Sequence, residues 1–91
     1  MLNSDLSESQ QILTGTLVSG SNVIHPTGSF TVNNCYIAKV DYFVDSQWRD
    51  ATINGVQPWI DIEAGIVNIY GSSAMPSTLV GLPFRCILRK L

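Results

Sequence analysis

Between Val56 and Tyr70 apolar and polar positions alternate in two short runs separated by Glu63-Ala64-Gly65. β-branched and aromatic residues dominate both runs, so the stretch predicts a β-hairpin. A three-residue loop pairs Ile62 with Ile66 and mixes polar and apolar groups on both faces. A two- or four-residue loop pairs Ile62 with Val67, Ile60 with Ile69 and Trp59 with Tyr70. That register gathers Ile60, Ile62, Val67 and Ile69 on one face and Trp59, Asp61, Asn68 and Tyr70 on the other, and the cleaner segregation favours it.

The same alternation appears elsewhere. From Cys35 to Asp45, Tyr36, Ala38, Val40, Tyr42 and Val44 alternate with Cys35, Ile37, Lys39, Asp41 and Phe43, with Lys39 and Asp41 marking a partly wet face. From Phe84 to Leu91, Phe84, Cys86 and Leu88 share one face, and Arg85, Ile87 and Arg89 the other. Shorter strand-like runs are Ile12–Val18 (with Gly15 marking a bulge or a close approach), Val23–His25 (ended by Pro26), Phe30–Val32, Ala51–Ile53 and Thr78–Val80. Asn54-Gly55 reads as a two-residue hairpin turn, and Ser46–Asp50, holding Trp48, as a loop. The only helical candidate is residues 1–13, where Ser7 and Gln10 fit a capping box and Leu2, Leu6, Ser9 and Leu13 have the spacing of a coiled-coil seam. The expectation is an all-β chain, a compact antiparallel β-sandwich or barrel of about seven or eight short strands, with a short N-terminal helix as an option. Residues 1–13 would be an arm or stalk stub and 14–91 a single β domain.

Composition narrows the function classes. Of the 91 residues 45% are hydrophobic but only 13% charged, about half the usual share. The remaining polarity is neutral, chiefly Ser, Thr, Asn and Gln. Such a surface either packs against copies of itself or meets neutral polar ligands, and a small β domain gains core by oligomerising. A net charge of −2 with five basic residues argues against a nucleic-acid partner. No segment has the length of an apolar membrane span, and Met1–Asp5 lacks the start of a signal peptide. Cys35 and Cys86 sit among apolar neighbours and read as buried free thiols, with a disulfide as the alternative.

No catalytic motif appears. His25, Cys35 and Asp41 supply the residue types of a hydrolase triad, but without a nucleophile elbow, so no catalytic residue is assigned. One His and two distant Cys provide no metal-ligand spacing, and Asp41, Asp45, Asp61 and Glu63 lack a calcium-loop pattern. No cofactor is expected. The best candidate is the aromatic polar face. Trp59 and Tyr70 offer flat apolar rings, and Asp61 and Asn68 offer oriented acceptors and donors, with Trp48 close by in sequence. That combination suits a saccharide. Packing of the same rings in a subunit interface is the alternative.

The run Trp59-Ile60-Asp61-Ile62-Glu63-Ala64-Gly65-Ile66-Val67-Asn68-Ile69-Tyr70, the terminal Phe84–Leu91 strand and the stalk-like Leu2–Leu13 segment together resemble the C-terminal tip domains of bacteriophage tail-fibre or baseplate receptor-binding proteins. The resemblance implies a homotrimer on the virion that binds host-surface saccharide without catalysis. A structural assembly or decoration protein that contacts only other virion proteins is the second expectation.

Overall fold

The computed structural model describes residues 9–71 and 75–91. Seven strands form two antiparallel sheets: β1 (Gln10–Thr16), β2 (Asn22–Ile24), β3 (Cys35–Val44), β4 (Gln47–Asp50), β5 (Val56–Asp61), β6 (Ile66–Gly71) and β7 (Pro83–Lys90). One sheet has the order β1-β7-β3-β4, the other β2-β6-β5. Between them lies one core, with Val40, Tyr42, Phe84, Cys86 and Leu88 from the first sheet against Val56, Val67 and Ile69 from the second. The short dimension of 18 Å is that of two stacked sheets. The all-β expectation holds, in its sandwich form. The helical reading of residues 1–13 falls largely outside the described residues. Where the two overlap, Gln10–Leu13 are strand.

In β7 the alternation is as the sequence predicts, with Phe84, Cys86 and Leu88 buried. In β3 strict alternation fails. The register against β7 shifts between Ile37 and Lys39. One extra residue, Ala38, resets the phase, so that Cys35 and Ile37 before the bulge and Val40, Tyr42 and Val44 after it all face the core. Tyr36, Lys39, Asp41 and Phe43 therefore face outward. Gly15 marks a close approach, not a bulge, because β1 pairs with β7 without a break and a Cβ at Gly15 would lie 2.8 Å from the buried Phe84 ring.

Several local expectations are overturned. Ser46–Asp50 is not a loop. Asp45 and Ser46 adopt left-handed φ of 52° and 62° and close a tight β3–β4 hairpin, with Trp48 on β4. Asn54-Gly55 is not a hairpin turn. Thr52–Asn54 form a 3₁₀ turn ended by Gly55 at φ 94°, which carries the chain from one sheet to the other. Phe30–Val32 and Thr78–Val80 lie in turns. In the first, Asn34 holds the loop by accepting the Thr31 N–H at 2.8 Å and donating to the Ser29 carbonyl at 2.9 Å, which leaves Phe30 free to enter the core. Asn22, buried on β2, does comparable work: its Oδ1 accepts the Val18 N–H and its Nδ2 donates to the Ile69 carbonyl, which pins β2 to β6.

Candidate functional site

The β5–β6 hairpin pairs Trp59 with Asn68, Ile60 with Val67 and Asp61 with Ile66, leaving Ile62–Gly65 as the loop. This is two residues from the expected register. A shift of two preserves which residues share a face, so Ile60, Val67 and Ile69 still face the core and Trp59, Asp61, Asn68 and Tyr70 still share the outer face. Ile62 changes role. It is 64% exposed at the loop, not in the core.

On that outer face Asn68 occupies the central strand, with Val23 of β2 on one side and Trp59 of β5 on the other. The next row pairs Gln57 with Tyr70. Trp59 and Tyr70 are thus diagonal neighbours, and their rings meet edge to face at a centroid distance of 5.9 Å and 76°. The contact holds the indole against the sheet while 51% of Trp59 remains exposed. The Asn68 Oδ1 is buried and has no hydrogen-bond partner. An unsatisfied buried carbonyl costs free energy unless a donor reaches it. Asp61 is partly committed: its Oδ1 accepts the Ala64 N–H at 3.0 Å and its carbonyl accepts the Gly65 N–H at 2.9 Å, with Gly65 at φ 73°. It shapes the loop first and borders the face second. A shallow open depression of about 330 Å³ runs along Trp59–Glu63.

Trp48 does not join this group. It lies on the outward face of the four-stranded sheet, across the sandwich from Trp59. There its ring meets Phe43 edge to face at 5.1 Å and carries the Arg85 guanidinium 4.4 Å above its centroid. Arg85 Nε donates to Asp41 Oδ2 at 2.8 Å, and Lys39 Nζ stands 3.4 Å from Asp41 Oδ1. Asp41, expected on a wet face, is only 1% exposed because these neighbours cover it.

The triad residue types do not converge. Cys35 faces the core and Asp41 the opposite side of β3, while His25 is exposed in the segment after β2. Both thiols are free and buried, in line with the thiol reading of the sequence. Burial pushes Cys86 up to about 12, with the neighbouring Cys35 adding to the shift, and burial also raises Cys35, with Lys90 opposing. Among the described residues no group of three or more His, Cys, Asp or Glu is placed to hold a metal ion, and no helix is long and apolar enough to cross a membrane. Gln57 belongs to the candidate face and was visible in the sequence, two residues before Trp59. Val23 had no local signal, because its place depends on the long-range pairing of β2 with β6.

The chain matches no known protein family, no curated protein and no solved structure.

Proposed function

We propose that this chain is a non-catalytic binding domain that takes a neutral, hydroxyl-rich saccharide on the outer face of the β2-β6-β5 sheet. The observation that carries the reading is the half-exposed Trp59 ring, braced edge to face by Tyr70 and bordered by the polar side chains of Gln57 and Asp61. A sugar presents an apolar face of C–H groups, which stacks on a ring, and hydroxyls at its edge, which bond to amide and carboxylate side chains such as those of Gln57 and Asp61. The low charge of the chain fits a neutral ligand. The resemblance to phage receptor-binding tips supplies the setting: a homo-oligomeric appendage on a virion, with host-surface saccharide as the target.

A second reading is that of a structural virion protein without a glycan ligand. It draws on the opposite face, where Ile12, Tyr36 and Trp48 are each more than one-third exposed on the four-stranded sheet. The discriminating experiment presents the purified chain to a panel of bacterial surface polysaccharides and, separately, to particles lacking it. Saccharide binding that falls at least tenfold in Trp59→Ala, about 1.4 kcal/mol or more, supports the first reading. Binding to particles with no affinity for any saccharide supports the second.

A further inference from the structure

We propose that β1 is a docking edge for a second copy of this chain, pairing antiparallel with its own β1 about a two-fold axis. This edge is independent of the saccharide face, and the direction of its backbone groups defines it. Pro83, which has no N–H, stands opposite Thr16, while Leu17 donates to the Leu82 carbonyl and accepts from the Gly81 N–H. In an antiparallel ladder the two directions alternate residue by residue. Leu17, Gly15, Leu13 and Gln11 therefore turn their N–H and C=O groups toward β7, and Thr16, Thr14, Ile12 and Gln10 turn theirs away from it. Among the described residues no strand lies on that outer side.

An open row of this kind is a template for another strand, and β-proteins normally guard it. The other three edges are guarded. β5 has Pro58 in its middle, β2 is three residues long, and β4 is four residues long with Arg49 and Asp50. β1 has seven residues and neither charge nor proline. It is also held ready. Gln11 Oε1 accepts the Thr27 N–H at 2.9 Å, and Gln11 Nε2 donates to the Thr27 carbonyl at the same distance. These bonds tie β1 in place through a side chain, and among the described residues no backbone group pairs with the outward ones.

The occupant that fits is the strand itself. A neutral edge meets its own copy without like charges facing each other. Full antiparallel overlap of Gln10–Thr16 sets Leu13 against Leu13 on the axis and Ile12 against Thr14. Only outward-turned residues then bond across the seam, giving about eight inter-chain hydrogen bonds. The pairing joins two four-stranded sheets into one and brings Ile12, 48% exposed in the single chain, alongside its copy and the Ile87 strip.

Two variants separate this edge from the fold. In Thr14→Pro the lost N–H points away from β7, so the chain's own ladder stays intact. Ile12→Lys changes only an exposed side chain and sets like charges near the axis. The measurement is solution mass by light scattering across a dilution series, with circular dichroism as the check on folding. The expected result is twice the 9.9 kDa chain mass, dissociating on dilution, and at least tenfold weaker association in each variant with unchanged spectra. A monomer throughout, a trimer, or a dimer indifferent to both variants would overturn the proposal. None of these outcomes bears on whether the Trp59 face binds saccharide.

Discussion

Asp41→Ala removes the carboxylate that gathers Arg85 and Lys39 on the outer face of the four-stranded sheet. The Arg85 bond is short, 2.8 Å, and its acceptor is almost fully buried. A hydrogen bond between charged groups of this kind contributes about 1.5–3 kcal/mol. Arg85 is 30% exposed and Lys39 50%, so water recovers part of the loss. Lys39 at 3.4 Å adds little, as exposed pairs do. The expected cost is about 2 kcal/mol. Against a total stability on the order of 5–13 kcal/mol for a chain of this size, that is large. It corresponds to a fall in Tm of roughly 8–16 °C. Urea unfolding should show a lower midpoint with an unchanged slope. The double variant Asp41→Ala/Arg85→Met should cost less than the sum of the two single changes, because each alone leaves a partner stranded. A cost below about 0.5 kcal/mol for Asp41→Ala, or simple additivity in the cycle, would refute the view that this cluster is a coupled, covered ion pair.

Three further outcomes follow from the geometry. Gly15→Ala should destabilise by about 1–3 kcal/mol, as overpacking does, because its Cβ meets a Phe84 ring that is 2% exposed and cannot swing away; thermal melts of Gly15→Ala alone and combined with Phe84→Leu check it, the combination costing less than the sum. The Cys86 thiol should resist modification until the chain unfolds. Burial pushes its native pKa up to about 12 from 9.0, so its stabilising contribution is full below pH 9 and falls by about 1.4 kcal/mol per pH unit as pH rises toward 12; the difference between the alkaline unfolding curves of the chain and of Cys86→Ala reads this. Asp50 titrates below the ordinary carboxylate range because the Thr52 hydroxyl and N–H both donate to its Oδ1. Its contribution is present above the ordinary carboxylate pKa and is lost as pH falls through the lower native value, so Thr52→Val should move the Asp50 midpoint upward in an NMR titration.

The faces of the central hairpin were legible in the sequence although its register was not. Side-chain direction has period two, so a two-residue slip left Trp59, Asp61, Asn68 and Tyr70 together and displaced only Ile62. Alternation in β7 was equally clear. What sequence could not show was where alternation breaks. Ala38 carries no mark of a bulge, since the signal is the mismatch between Ile37 and Val40 facing the same core across sheets that are not yet known. Asp45-Ser46 tolerates left-handed φ less well than Asn-Gly, so the real hairpin turn looked like a loop and Asn54-Gly55 looked like the turn. That exchange put Trp48 beside Trp59 in expectation and on the opposite side of the sandwich in fact. The open edge of β1 was also invisible, because an edge is defined by the partner a strand lacks.

The chain has two tryptophans, one on each outer face, and each gives its own indole N–H resonance. An NMR titration with a saccharide that binds the chain therefore tests most directly where the ligand sits. With the ligand on the β2-β6-β5 sheet, the Trp59 indole and the amides of Gln57, Asn68 and Tyr70 shift while the Trp48 indole stays fixed. Shifts confined to Trp48, Arg85 and Tyr36 would contradict it and move the binding face to the other sheet.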